Sequence, residues 1–422
     1  MEIEVNVKLE FLGLDRVAKK TRAAFLWTSL LKTPFWSLYG LFIFILYKDL
    51  HASHLQVAVF LALKPIVSLI SIYWSSFIKE RTDRLKSNII AGAILAYSPF
   101  FFFPFVDTPW FFIASAALYL ALKRGVIPAW MEILKLNIQD ASREKVFAYG
   151  SAVSHIGGIL LPIWIGDLLD VHPGIWRWLF PACGLFGLLS IFFQLKIPIL
   201  HQSIPSSTPP FSLKATLIDP WKNGWKLCTT RWDFRQFQVG FFLGGMGLMI
   251  MQPALPKFFF DSLHLSYAEL AIALSACKGI GFAITTRSWS RLMQKVNIFR
   301  FSSWVTALAA LFPLVLLLSY FQVFFLYAAY LIYGVMQAGS ELSWHLSGPI
   351  FSKKEDSSIF SSVNLATVGL RGCIAPLLGS VLCSSFSAPL VLCLCFIFCL
   401  LATWQMGRTA SIIETQEPVQ SS

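Results

Sequence analysis

The sequence predicts an all-α polytopic membrane protein with twelve transmembrane helices in two pseudo-symmetric six-helix bundles. Three observations predict it. The 422 residues are 56% hydrophobic and 13% charged, about half the charged share of a soluble domain. A chain this apolar has too little polar surface to coat its own core and takes lipid as its solvent. The apolar residues gather into twelve stretches near the ~20 residues that a helix needs to cross a bilayer. These stretches form two sets of six, with matching residues 211 to 214 positions apart.

The stretches run over residues 23–47, 55–78, 88–106, 110–131, 147–168, 175–195, 237–259, 267–286, 299–320, 322–345, 359–383 and 388–406. They are too long for barrel strands and lack period-two alternation, so closed barrels are excluded. The links at Asp107-Thr108-Pro109 and near Tyr320 are so short that the helices they join must be antiparallel. The 39 Phe and 15 Trp suit lipid-facing and interfacial positions.

Basic residues set the orientation. The N-terminus, the even-to-odd links, the central connection and the tail carry 25 Lys and Arg, whereas the opposite side has only Lys48, Arg177 and Lys257. The positive-inside rule places both termini in the cytoplasm and the protein in the cell inner membrane. The net charge of +12 therefore reports membrane orientation and not nucleic-acid binding. The first 22 residues hold five basic and four acidic residues and no short apolar core with a cleavage site, so the first apolar stretch is expected to be retained.

Residues 197–235 form the longest connection. It opens with a flexible run from His201 to Pro210, rich in Pro, Ser and Thr, and ends with Trp221, Trp225 and Trp232 among Lys and Arg. This suits a segment lying on the membrane surface. The expected domains are residues 1–196, the linker 197–235, and residues 236–422. The halves repeat: Asp49 answers to Asp261, Lys64 to Lys278, Tyr119-Leu120 to Tyr330-Leu331, and Gly158-x-x-x-Pro162 to Gly372-x-x-x-Pro376. Of eight cysteines only Cys228 sits in a polar loop. Cys393, Cys395 and Cys399 are read as small filling of a membrane helix, so neither a metal nor a cofactor is expected.

The run Lys79-Glu80-Arg81-Thr82-Asp83-Arg84-Leu85-Lys86-Ser87-Asn88 is similar to the Gly-x-x-x-Asp-Arg-x-Gly-Arg-Arg/Lys signature of the major facilitator superfamily. Asp83 and Arg84 match, while Lys79 and Lys86 replace the glycines and Ser87 and Asn88 the final basic pair. Together with the six-plus-six topology, the chain resembles a divergent bacterial branch of that family. The resemblance implies a transporter and gives Asp83 and Arg84 a gating role. It likens Lys123-Arg124-Gly125 to the arginine of the family's fourth helix. Gly150, Gly157, Gly158, Pro162 and Gly166 resemble its Gly/Pro-rich fifth helix, where close approach and a loosened backbone bond allow rocking. Close packing alone is the plainer reading of those glycines.

Six basic residues lie inside the apolar stretches: Lys32, Lys64, Lys123, Arg124, Lys278 and Arg371. The acids there are Glu341, with Glu132 and Asp167 near helix ends. A charge at bilayer depth costs at least about 2.5–3.5 kcal/mol, so most of these bases should face an aqueous cavity. Three acids cannot neutralise six bases, which favours a small anionic or zwitterionic solute. The alternative is internal pairing with acids or carbonyls. Lys64 and Lys278 fall about 14 and 17 Å from one end of their helices, near the midplane. They are the proposed substrate-binding pair, assisted by Arg371, Lys32 and Arg124. Glu341 and His345, four residues apart on one helix face, and His155 are candidates for proton coupling.

The reading is a secondary active transporter working by symport or antiport, not an enzyme, and monomeric. A membrane enzyme acting on lipid is the alternative. Its only candidate cluster is His51 and His54 near Asp49, and Asp261 with His264 suggests a repeated turn there instead. No phosphate loop for a primary pump occurs. A scaffold or receptor leaves the buried bases without a purpose.

Overall fold

The computed structural model of the chain describes residues 2–79, 84–138, 140–198, 219–352 and 357–416. Among them every regular element is helical. Helical stretches fall on each of the twelve predicted segments. Among the described residues eight helices are long and apolar enough to cross a membrane, and Trp232–Ile250 with Ala254–Ser262 makes a ninth if taken as one bent span. His54–Ser68 is a shorter apolar helix. The protein is a multi-pass membrane protein.

The chain forms two compact units, residues 1–42 with 70–210 and residues 43–69 with 211–422. The first holds α1 (Glu2–Leu31) and the start of α2 (Thr33–Lys48), the end of α3 (His54–Lys79), α4 (Leu85–Tyr97) and the 3-10 turn Ser98–Phe105. It continues through α5 (Pro109–Gly125), α6 (Ile127–Asn137), α7 (Asp140–Val171) and α8 (Trp176–Leu195). Its core is aromatic. Phe35, Phe100 and Phe180 are fully buried, and Phe35 meets Phe100 edge-on at 4.6 Å and Tyr97 at 4.9 Å. Such edge-to-face pairs add to the burial gain itself. The guanidinium of Arg177 donates to the Val106 carbonyl at 2.8 Å and pairs with Asp107, which fixes the short turn between α4 and α5.

The second unit adds α9 (Asp219–Thr230), α10 (Trp232–Ile250), α11 (Ala254–Lys257) and the π turn Phe258–Ser262. It continues with α12 (Tyr267–Ala271), the π turn Ile272–Cys277, α13 (Lys278–Met293) and α14 (Ile298–Leu317). It ends with α15 (Phe324–Ser352), α16 (Ser357–Ser385) and α17 (Ala388–Gln416). α17 packs along α10 and α14, and α13 along α15. Gly281 and Gly334 let α13 and α15 approach so closely that a methyl on either would strike the other helix's backbone.

Three predicted spans carry a local interruption of the helix, each beside a proline, although the first and fourth still run on as single spans. Pro34 cannot donate to the Leu30 carbonyl, and the first span breaks at Lys32 between α1 and α2. Pro128 leaves the Arg124 carbonyl without its helical donor, and the fourth span breaks at Val126. The seventh span bends by 40° at Met251–Pro253. Two further expectations are corrected. Lys135 lies on α6 and Arg143 and Lys145 on α7, so the link between them is only two residues, not a charged loop. Cys228 lies on helix α9, not in a loop. The Ser/Pro run 201–210 and Asp83 lie outside the described residues.

The repeat has a backbone signature inside the second unit. His51 and His264 take φ of 49° and 51°, a left-handed conformation that His tolerates better than most residues. Leu50 and Ala52 donate to the Ile45 and Leu46 carbonyls, and Leu263 and Leu265 donate to Phe258 and Phe259. A capping box then opens each following helix, Ser53 with Gln56 and Ser266 with Glu269. All of these pairs stand 213 positions apart.

Candidate functional site

The second unit brings Lys64, Lys278 and Glu341 together. Lys64 sits in α3 directly before Pro65, whose ring packs on Gly372 of α16. Lys278 opens α13 at the end of the π turn Ile272–Cys277. A π turn widens the helix and leaves backbone groups less tightly paired, and it recurs at functional sites. Lys278 lies within electrostatic reach of both Lys64 and Glu341. Glu341, exposed on α15, accepts a bond from Gln337 Nε2 at 3.3 Å. His345 follows one turn later and is also exposed. Lys278 thus feels one like and one opposite charge.

Arg371 is 7% exposed on α16. Its Nη1 donates to the Phe241 carbonyl at 2.5 Å and its guanidinium lies 4.5 Å from the Phe241 ring centre. Gly245 leaves the room it occupies, because a methyl there would collide with the guanidinium. Arg371 is thus held by α10. Its Nε is buried without a hydrogen-bond partner.

The remaining expected site residues fall in the first unit. Lys32 is half-buried at the α1–α2 break, and Arg124 is exposed one residue before the α5–α6 break. Arg84 is exposed just ahead of α4. The side chain of His155, in α7, lies outside the described residues. Gly150 and Gly157 let α7 close on Phe25 and Thr33 of α1 and α2, so at these two positions close packing is what the glycines provide.

Counting acids missed a second way of holding a base. Lys123 Nζ stands 3.2 Å from the Trp36 ring centre and 5.5 Å from that of Tyr119. Lys48 Nζ stands 4.4 Å from Tyr267 and 5.0 Å from Phe260. Aromatic faces carry negative charge density and stabilise a desolvated cation by up to about 2 kcal/mol. Lys123 therefore belongs with the aromatic lining. The signal was the density of Trp and Tyr, but it names no partner without the fold.

Sequence reasoning also missed a pair of reciprocal hydrogen bonds in the second unit. Tyr47 donates to Asp261 Oδ2 at 2.6 Å, and Tyr267 donates to Asp49 Oδ1 at 3.0 Å. These bonds join the turn around His51 to the turn before α12 beside a cavity of about 470 Å³ lined by Lys48, His51, His54 and Asp261.

The helical fold and its internal repeat are those of a multi-pass membrane protein. The Major Facilitator Superfamily profile matches residues 24–347, and the chain belongs to that family. No curated protein matches the sequence. Among solved structures, a POT family transporter in complex with 5-aminolevulinic acid is similar with a TM-score of 0.71 at 13% identity, covering 95% of this chain and 96% of that one. The nucleoside transporter NupG is similar with a TM-score of 0.65 at 12% identity, covering 92% and 98%. A bacterial homolog of the human lysosomal transporter Spinster, inward-facing and unoccupied, gives 0.62 at 15% identity, covering 93% and 98%.

Proposed function

We propose that the protein is a secondary active transporter that moves a small anionic or zwitterionic organic solute by alternating access. On this reading it is a monomer of the cell inner membrane with both termini cytoplasmic. The observation that carries it is that Lys278 lies within electrostatic reach of both Lys64 and Glu341. Like charges at this depth raise each other's cost, and an anion bound between them removes that cost. A zwitterion satisfies the same site, its carboxylate on the lysines and its amine toward Glu341. Arg371 stabilises the wall behind the site, and Lys32 and Arg124 are further substrate-binding residues on this reading. Glu341 with His345, and His155, carry the coupling proton. Asp83 and Arg84 act in gating.

The experiment is a melting screen of the purified protein. Sulfate and 5-aminolevulinic acid suit it as probes because they carry the two chemistries proposed and occur in complexes of POT transporters. A ligand at a hundred times its Kd stabilises the state it binds by about 2.7 kcal/mol. Carboxylates, sulfate or amino acids should raise the melting temperature, and Lys64→Ala should abolish the rise. Stabilisation by uncharged nucleosides alone would contradict the anionic reading. Orientation is checked separately: cysteines at His51 and Asp107 should react with an impermeant reagent from outside, and Ser206→Cys should not.

A further inference from the structure

A second cavity, of about 340 Å³, opens among α9, α10 and α16, away from Lys64 and Lys278 in sequence and in its lining. Its walls are apolar. Val239, Phe242 and Leu243 come from α10, and Cys228 comes from α9. Trp225 stands at its edge with 76% of its surface exposed. A ring of that size left uncovered on a helix is costly in water and favourable at a lipid interface.

Among the described residues, the charged side chain in the cavity lining is basic. Arg235 lines it and is exposed, and Lys222 and Lys226 are exposed on α9. The nearby acid Asp233 is taken up by Arg231, in a two-pronged pair of 2.9 and 3.1 Å. Arg231 also donates to the Phe351 carbonyl, so it is committed to the protein. Burial pushes the Cys228 thiol up while Arg235 works against that shift, which places the guanidinium within reach of the cavity wall.

The helix that forms the rim is held in place. Gly224 brings α9 so near α16 that a methyl would stand 2.9 Å from Val363 Cγ2. The hydroxyls of Thr229 and Thr230 both donate to the Lys226 carbonyl, at 2.8 and 2.9 Å.

We propose that this cavity binds an anionic glycerophospholipid. One acyl chain fills the apolar cavity beside Val239 and Leu243, and the phosphodiester rests on Arg235 with Lys222 and Lys226 around it. The two-part ligand follows from the two-part site. A free phosphate would meet the basic rim and leave the apolar walls wet. A neutral lipid would fill the walls and leave three cations without a counter-charge. Basic residues at a membrane surface select anionic headgroups for the same reason. The site is separate from the transported solute, and its test does not depend on the solute's identity.

The test uses the full chain in vesicles of phosphatidylcholine alone and in vesicles with an equal part of phosphatidylglycerol. The rate of alkylation by neutral N-ethylmaleimide is read at Cys228 by peptide mass spectrometry. Phosphatidylglycerol should slow that rate at least fivefold, and Arg235→Gln should remove most of the protection. The exposed double variant Lys222→Gln/Lys226→Gln should weaken it as well, which covers the case in which Arg235→Gln fails to fold. Val239→Trp, which fills the cavity, should protect Cys228 equally in both lipids and abolish co-purified phosphatidylglycerol. Equal alkylation of the wild type in both vesicles would overturn the proposal. So would protection by inorganic phosphate alone, or protection by phosphatidylglycerol that survives loss of the three basic residues.

Discussion

Replacing Lys278 with Met separates binding from packing. Met keeps most of the side chain's volume, so α13 and α15 should stay in contact through Gly281 and Gly334. The change removes an ammonium that stands within electrostatic reach of Lys64 and of the carboxylate of Glu341. Folding should therefore lose nothing, and relief of like-charge repulsion should leave the melting temperature equal or higher. Binding should lose a charge-assisted hydrogen bond, about 1.5–3 kcal/mol, which is roughly a ten- to hundred-and-fiftyfold rise in Kd for the solute found in the melting screen. The assay pairs a melting curve with a titration by that solute. A large fall in melting temperature with unchanged Kd would refute the reasoning and make Lys278 a structural partner of Glu341.

Glu341→Gln should leave solute exchange intact and abolish accumulation driven by an imposed pH gradient in proteoliposomes; unchanged coupling would remove Glu341 from the proton path. The double-mutant cycle of Tyr47→Phe with Asp261→Asn should give a coupling of roughly 0.5–1.5 kcal/mol in chemical denaturation, and additive effects would show that the 2.6 Å bond contributes nothing in solution. Gly334→Ala should destabilise the protein by about 1–3 kcal/mol, because its methyl meets the Lys278 backbone. Wild-type stability in that variant would mean that α13 and α15 have room to move apart.

The apolar segments were legible because lipid imposes a length and a composition on every span, and both are local properties of the chain; helices fall on each of the twelve segments, and among the described residues eight or nine are long and apolar enough to cross a membrane. The repeat was more exact than its residues suggested. Ser53 with Gln56 and Ser266 with Glu269 form the same capping box 213 positions apart, but the pattern is short and common enough to pass unnoticed. Pro34, Pro128 and Pro253 were visible too, yet a proline states only that one hydrogen bond is missing. Whether the helix breaks, bends or merely loosens, as at Pro65, depends on what packs against it.

What only the tertiary structure decided is how each buried charge is satisfied. Composition counts acids against bases, but a cation is also stabilised by a ring face or a carbonyl, and neither carries a formal charge. Lys123 on Trp36 and Arg371 on Phe241 are of this kind. The sequence alone determined that six bases lie inside the apolar stretches. The packing of helices far apart in the chain determined that Lys278 comes within electrostatic reach of Lys64 and of Glu341, because sequence separation says nothing about such neighbours.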